Sequence, residues 1–292
     1  MLQDAKTDGT KAWPRLLTTE NLQRQADIPV RESSDKTGCN LMGMALVPDK
    51  KMVLCDCNNK SVKLLDLESG HLVSSLRLSS PPWDVCAIPG QQVAVTLPDE
   101  GKIQVVSTQR QLTLTTRIKT RQGCRGIRYW QDTLIVTFSE GTVLVIDLKG
   151  NVVMEMDNTN AGYLLFKCPL YVTVDYKGST LYVSDGVKNT ITKMDLTLKV
   201  VATIKNKTIR APHGMFPLDD HHLLVCSFGS HNVVLLNTET QEERVVLGPG
   251  QGILWPRCVS YSAELGKLYV TCYRCDSVKV FAMRIALEWA SC

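Results

Sequence analysis

A two-strand pattern recurs six times along the chain and constrains the fold more than any other feature. Each copy is an apolar strand ending in a small residue, a polar turn and a second apolar strand, as in TLYVSDGVKNTITKMDL at residues 180–196. The small residues lie 41 to 47 residues apart: Cys55, Thr96, Thr137, Ser184, Cys226 and Thr271. Upstream of each copy a triplet, here called the opener triplet, leads into a further short strand: LMG (41–43), PWD (82–84), CRG (124–126), PLY (169–171), PHG (212–214) and PRC (256–258).

An outer apolar strand follows five of the copies, at 72–78, 112–118, 152–157, 200–205 and 244–248. Four strands in a period of about 40–45 residues are typical of a β-propeller blade. The sixth copy lacks its outer strand, but residues 22–30 form an unassigned segment with strand character. Because an unpaired sheet edge is a liability, we expect this segment to complete the last blade.

The predicted fold is therefore all-β, a six-bladed β-propeller with four antiparallel strands per blade, closed by the N-terminal strand at about 22–30. The propeller would span residues 21–286, after a flexible segment at 1–20 and before a short tail at 287–292. A seventh blade would need about 40 more residues than the chain offers.

Composition indicates the cellular compartment in which such a propeller would work. Hydrophobic residues make up 44% of the chain, and no run reaches the roughly 18 apolar residues of a membrane span. The first residues do not form a signal peptide, and the eleven cysteines are scattered rather than framed as disulfide pairs. We therefore expect a soluble, cytoplasmic protein without a membrane partner.

The openers LMG, CRG and PHG and the unit at 180–196 resemble NHL-type propellers, especially the C-terminal propellers of tripartite-motif ubiquitin ligases. The resemblance covers about 22–285. Only blades one and four keep the family's Asp, as Asp56 and Asp185, and no blade keeps its Arg after the turn Asn. The resemblance implies a recognition domain within a longer protein, whose other domains would carry any ligase activity. It also implies a partner that is either RNA or protein.

The opener triplets place one side chain per blade around one mouth of the ring: Met42, Trp83, Arg125, Leu170, His213 and Arg257. We expect Arg125, His213 and Arg257 to make the central contacts with a partner. Loops and turns on the same face add the remaining candidates: Lys119, Arg121, Lys207, Arg210, Phe228, Tyr273 and Arg274. Cations among aromatic side chains suit RNA, through phosphates and stacked bases, and equally suit an acidic protein segment. The alternative is that these Lys and Arg side chains are ordinary solvated surface residues. In that case Trp83 would simply cap the ring by packing against it.

An enzyme is the second hypothesis, because six-bladed propellers also serve metal-dependent lactonases and lyases. Calcium sites need several carboxylates and zinc sites need clustered His or Cys ligands, whereas only Asp84 and His213 lie near the predicted channel. Cys272-x-x-Cys275, with Cys57 in the neighbouring blade, has the spacing of half a zinc site. We expect no catalytic residue, metal or cofactor, and assign Asp66, Asp147 and Asp195 to turns.

Overall fold

Six antiparallel sheets follow one another along the chain and form the blades of a propeller. The structure, a computed structural model, describes residues 17–156, 158 and 164–284. Five sheets have four consecutive strands, and the last has three consecutive strands with the N-terminal segment added to its edge. The prediction of an all-β, six-bladed propeller is thus confirmed, including its closure by the N-terminal strand. Residues 1–16 and the predicted tail at 287–292 lie outside the described residues.

The strands are numbered in chain order. The N-terminal pair is β1 (Leu22–Arg24) and β2 (Ile28–Pro29). Blade one is β3 (Leu41–Val47), β4 (Lys51–Asp56), β5 (Ser61–Asp66) and β6 (His71–Arg77), and blade two is β7 (Val85–Ile88), β8 (Gln92–Leu97), β9 (Lys102–Ser107) and β10 (Thr113–Lys119). Blade three is β11 (Cys124–Trp130), β12 (Thr133–Phe138), β13 (Val143–Asp147) and β14 (Val152–Met156), and blade four is β15 (Pro169–Val174), β16 (Thr180–Asp185), β17 (Thr190–Asp195) and β18 (Val200–Ile204). Blade five is β19 (Pro212–Pro217), β20 (His222–Ser227), β21 (Asn232–Asn237) and β22 (Glu243–Leu247), and blade six is β23 (Pro256–Ser262), β24 (Lys267–Cys272) and β25 (Ser277–Met283).

The ring has two faces, which the strand register distinguishes. The start of each inner strand pairs with the end of the second strand, as Pro212 does with Ser227 and Pro256 with Cys272. The loops into the inner strands and the turns between second and third strands therefore share one face, which we call the opener face. The turns between first and second strands and between third and fourth strands lie on the other, which we call the far face.

The N-terminal segment closes the ring by pairing with the third strand of blade six. Strand β1 pairs with β25 from Leu22 opposite Met283, and β2 continues along the same strand with Ile28 opposite Val278. Leu17 is fully buried in the hydrophobic cluster between blades five and six. The outermost edge of the last blade is consequently paired and anchored, as the edge-strand argument requires.

A buried lysine then joins the closing segment to blade one. Lys63 of β5 is fully buried, and its ammonium lies 2.6 Å from a carboxylate oxygen of Asp35 and 2.9 Å from one of Asp56. It also donates to the carbonyl oxygen of Val30 at 2.9 Å and to Sγ of Cys39 at 3.3 Å. Burial opposes the charge of this ammonium, but its bonds to Asp35 and Asp56 outweigh that effect and raise the pKa of Lys63. The cluster is a complete buried ion-pair network.

Breaking this network should destabilise the propeller strongly. Replacing Lys63→Ala leaves Asp35 and Asp56 without their cation in a site that water does not reach, and we expect the free energy of unfolding to fall by about 3–5 kcal/mol. Urea unfolding measures this change. The matched control is Lys36→Ala, an exposed lysine of the same segment, for which we expect a change within about 0.5 kcal/mol. If Lys63→Ala and Lys36→Ala changed the free energy of unfolding equally, the buried ion pairs of Lys63 would not stabilise the propeller as proposed.

A β-bulge at the opener triplet interrupts the inner ladder of most blades, and the small residue of the sequence repeat repairs it. Hydroxyl oxygens on the second strands of four blades accept the backbone N–H of the third opener residue: Thr96 from Asp84 at 3.0 Å, Thr137 from Gly126 at 3.0 Å, Ser184 from Tyr171 at 3.2 Å and Thr271 from Cys258 at 3.1 Å. The bond in blade two forms although its inner ladder has no register shift. The Thr96 hydroxyl also donates to the carbonyl oxygen of Arg125, at 2.7 Å, and so links blades two and three. The hydroxyl at this position thus has a structural cause in four of the six repeats, while the other two carry Cys55 and Cys226.

Removing one of these hydroxyls tests that account. Thr96→Val keeps the shape of the side chain but leaves the N–H of Asp84 and the carbonyl of Arg125 unsatisfied, so we expect a loss of about 1–3 kcal/mol in the free energy of unfolding. Thr192→Val is the matched control, because the Thr192 hydroxyl is buried and has no hydrogen-bond partner in the described part of the chain. That substitution should be neutral or slightly stabilising in the same urea titration.

Glycines of alternate blades let neighbouring inner strands approach at the axis. A Cβ at Gly43 would lie 2.7 Å from the backbone of Asp84, one at Gly126 would lie 2.6 Å from the backbone of Tyr171, and one at Gly214 would lie 2.8 Å from the carbonyl oxygen of Arg257. The third residue of each opener triplet is therefore glycine in blades one, three and five, and a larger residue in the blades between. This alternation fills the axis without collision.

Aspartates at strand ends hold turns and loops by accepting backbone N–H groups. Asp66, Asp147 and Asp195 each accept from two backbone N–H groups of the turn that follows, as predicted. The two aspartates of the family pattern act on the opener face instead: Asp56 accepts from Asn40 N, and Asp185 accepts from the N–H groups of Lys167 and Cys168. These side chains shape the loops of the opener face.

Candidate functional site

Arg257 lies at the centre of an aromatic cluster on the opener face. Its guanidinium carbon is 4.7 Å from the ring centroid of Phe228 and 5.0 Å from that of Tyr273. The guanidinium of Arg274 lies over the same Tyr273 ring at 5.1 Å. Cation–π contacts of this kind fix the plane of a guanidinium. Of the predicted site residues, the structure brings these four together with His213.

His213, which is buried beside Arg257, fixes the orientation of its guanidinium through a hydrogen bond. Its Nδ1 lies 2.8 Å from the carbonyl oxygen of Ala211, which only accepts, so Nδ1 carries the proton and the bare Nε2 accepts from Nη1 of Arg257 at 2.9 Å. The imidazole also stacks on Phe228, with ring centroids 4.6 Å apart. Because His213 is only 6% exposed, it supports Arg257 rather than presenting itself to a partner.

Arg257 keeps donors for a partner. A guanidinium has five N–H donors, and the hydrogen bond from Nη1 to His213 uses one of them. Nε is buried without a hydrogen-bond partner among the described residues, so a partner from solution would meet the terminal nitrogens. No carboxylate lies within ion-pair distance of Arg257 in the described part of the chain. An oriented and unpaired guanidinium is suited to bidentate binding of a carboxylate or phosphate.

Arg125 and Trp83 form a second cation–π pair at the same mouth. The guanidinium carbon of Arg125 lies 4.9 Å from the Trp83 ring centroid, and its Nη1 donates to Sγ of Cys168 at 2.8 Å. Both residues line a groove of about 580 Å³ whose wall includes Pro82 and Asp99. Arg125, like Arg257, is thus oriented by an aromatic ring and has no ion pair within the residues described.

The outlying cations differ in their availability. Lys119, Lys207 and Arg210 are exposed and make no ion pair with any described residue, whereas Arg121 pairs with Glu155 at 2.7 Å. Met42 and Leu170, which the opener triplets place in the same ring of positions, are buried. The carbonyl oxygen of Met42 accepts from Tyr171 Oη at 2.7 Å, so Tyr171 crosses the axis and closes the channel beneath the mouth. The site is consequently a surface around the mouth rather than an open pore.

Two exposed apolar residues beside the aromatic cluster were missed in the sequence. Leu254 and Trp255, in the loop before β23, are 47% and 44% exposed. The Trp255 ring meets the edge of His231 with centroids 4.8 Å apart, and its backbone N–H donates to His231 Nδ1. The PRC triplet directly after Trp255 indicated in the sequence that a loop precedes β23. That Leu254 and Trp255 are exposed in this loop follows only from the fold.

Metal-ligating side chains come together in one place in the described part of the chain. Asp35, Cys39 and Asp56 have ligand atoms within 4.8 Å of one another. The ammonium of Lys63 bonds to all three of them and supplies the positive charge that a metal ion would bring. Cys272 and Cys275 with Cys57 do not form a comparable group among the described residues. These donor sets do not favour a metal centre.

Burial should make stability depend on pH through His213. Burial and the neighbouring charge of Arg257 lower the pKa of His213 from 6.5 to about 4. An imidazole with a depressed pKa stabilises the fold above pH 6.5, and this contribution is lost as the pH falls toward 4. At pH 5 the loss relative to pH 7 should be about 2 kcal/mol. Chemical unfolding at several pH values should therefore give a flatter profile for His213→Phe, whereas the exposed control His71→Gln should keep the wild-type profile.

Comparison with known proteins gives the architecture and no family. No protein-family model and no curated protein matches the chain. A streptogramin B lyase structure is similar at 14% identity with a TM-score of 0.67, covering 91% of this chain and 99% of that one. A virginiamycin B lyase from Staphylococcus aureus matches at 14% identity and TM-score 0.64 (90% and 100%), and the Cps50 (Swd1) β-propeller domain of Myceliophteria thermophila at 13% and 0.61 (84% and 83%). At these identities the similarity establishes one thing, that the chain is a β-propeller.

Proposed function

We propose that the chain is a non-catalytic recognition module that binds an acidic protein segment on the opener face. The observation that carries the proposal is Arg257, whose guanidinium is oriented by Phe228, Tyr273 and His213 and has no acidic partner among the described residues. Arg125 over Trp83 repeats the arrangement on the same mouth. Oriented guanidinium groups bind carboxylates with two parallel hydrogen bonds.

The arrangement of the aromatic rings favours a protein over RNA. RNA recognition of single strands relies on bases stacking on free aromatic faces. Here Tyr273 lies against the guanidinium groups of Arg257 and Arg274, while Phe228 lies against Arg257 and His213. These rings serve to orient the cations. The exposed side chains of Leu254 and Trp255 then offer an apolar contact next to the charged centre.

The wider role follows from the resemblance to tripartite-motif ligases with NHL propellers. In that setting the propeller selects the substrate and a different part of a longer cytoplasmic protein would transfer ubiquitin. Asp56 and Asp185 belong to this resemblance and hold the loops that precede the inner strands. In this role the opener face binds the substrate, and another domain of the longer protein carries out the transfer of ubiquitin.

Binding of a labelled glutamate-rich peptide containing one leucine tests the proposal. Fluorescence anisotropy should report saturable binding that weakens as salt rises from low to physiological concentration. Arg257→Met removes the charge and keeps much of the length, and we expect it to weaken binding about tenfold or more. Arg110→Met, an exposed arginine on the far face, is the matched control and should leave the affinity unchanged.

Two further probes decide between partners. A lysine-rich peptide of equal length should not bind, and an unstructured RNA of mixed sequence should bind more weakly than the acidic peptide. Stronger binding of the RNA, lost in Arg257→Met, would replace the protein partner with RNA. Absence of binding by both probes, or an unchanged affinity of Arg257→Met, would refute recognition through this arginine.

A metal-dependent lactonase or lyase is the alternative, and two of the similar structures are lyases by their names. Such an enzyme should bind a divalent metal and lose thermal stability with a chelator. The recognition module should unfold at the same temperature with and without EDTA, because both carboxylates of its buried acidic cluster are already bonded to the ammonium of Lys63. A melting temperature that falls with EDTA and recovers with added metal would favour the enzyme.

A further inference from the structure

A cavity runs along the propeller axis from the far face. It has a volume of about 320 Å³ and is lined by the inner strands of all six blades. Tyr171 forms part of its wall, and its hydroxyl bonds to the carbonyl oxygen of Met42 on the opposite side of the ring. The cavity is therefore closed toward the opener face and separate from the surface discussed above.

One cation that has no hydrogen-bond or ion-pair partner among the described residues lines this cavity. Arg128 of β11 makes no side-chain hydrogen bond or ion pair with any described residue, although it is only partly exposed. It also lines an adjoining groove of about 430 Å³ on the far face, together with Trp130, Tyr176 and Phe216. Burial lowers the pKa of Arg128, although the nearby Cys86 and Asp84 act in the opposite direction. A partly buried guanidinium that is not hydrogen-bonded to a carboxylate favours an anion from solution.

The other polar groups of the wall indicate that a ligand of this cavity carries a single negative charge. Thr173 is 2% exposed, and its hydroxyl has no hydrogen-bond partner among the described residues. Asp84 is the other ionisable acid among the residues described in the wall, and its carboxyl oxygens accept the N–H groups of Val85 and Ile127. Burial raises the pKa of Asp84 to about 7, so near neutral pH its carboxyl is partly protonated and offsets only part of the Arg128 charge. The positive charge that remains suits a singly charged ligand rather than a doubly charged one.

Apolar side chains share the wall with these polar groups. Ala45, Cys86 and Phe216 each lie two residues after the third residue of an opener triplet, as Arg128 and Thr173 do, and line the same cavity. Cavities of roughly 300–1,000 Å³ that combine apolar side chains with a few placed polar groups are typical of small-molecule sites. We infer that the axial cavity of the far face binds a small organic monocarboxylate, whose carboxylate pairs with Arg128 and whose hydrocarbon part lies against Ala45, Cys86 and Phe216.

Hexanoate is the probe that tests this inference. Isothermal titration of the full chain with hexanoate should give saturable binding at millimolar concentration, while hexanamide and inorganic phosphate should bind at least tenfold more weakly. Arg128→Met should weaken hexanoate binding at least tenfold, because it removes the charge and keeps the apolar contact. Arg110→Met, an exposed far-face arginine outside the cavity, should bind hexanoate as the wild type does.

A second variant keeps the test decisive if Arg128→Met folds poorly. Thr173→Val preserves the shape of the wall and should weaken hexanoate binding at least threefold, whereas Thr192→Val should not change it. Equal affinity for hexanamide and hexanoate would make the cavity merely apolar and overturn the inference. No saturable binding of hexanoate, or unchanged binding by both Arg128→Met and Thr173→Val, would also overturn it. None of these outcomes bears on peptide binding at the opener face.

Discussion

Closure of the ring is the constraint on which the other features of this propeller depend. Six sheets can bury their faces against one another only if the last blade also meets the first, and β23 packs directly against β3 to make this contact. The pairing of β1 and β2 with β25 fastens the N-terminal segment to the last blade. Lys63 then ties the same segment to blade one through Asp35 and Asp56. A backbone ladder and a buried ion-pair network thus hold the junction together by independent means, each of which would be costly to lose.

The closed ring brings the inner strands so near the axis that their packing restricts which residues can occupy the opener triplets and how their backbone groups are hydrogen-bonded. Their approach requires glycine at alternate openers and a bulge in most inner ladders, and the freed backbone N–H groups require the hydroxyls of the second strands. The residues next to those bulges include Arg125 and Arg257, whose side chains meet aromatic partners from the same blade turns and neighbouring loops. The geometry of the candidate site is therefore a product of how the blades pack.

The architecture was accessible from the sequence because each blade repeats a local pattern, and even the closing strand followed from counting outer strands against blades. The role of His213 was not accessible, since its burial and its bond to Arg257 arise from the packing of two neighbouring blades and leave no trace in the local pattern of either. Arg128 lies in a short strand whose local sequence does not distinguish it, and only the assembled ring places it in a cavity. Periodicity predicts elements well, whereas contacts among separate repeats need the tertiary structure.

The alternation at the axis gives this propeller a pseudo-threefold rather than a sixfold symmetry. Gly43, Gly126 and Gly214 are followed around the ring by Asp84, Tyr171 and Cys258, so the unit that repeats is a pair of blades. Moving a single blade by one position would set two large residues against each other at one junction and leave a gap at the next. Duplication, deletion or grafting within this architecture is therefore tolerated at the axis only in steps of two blades, which makes the blade pair the natural module for its redesign.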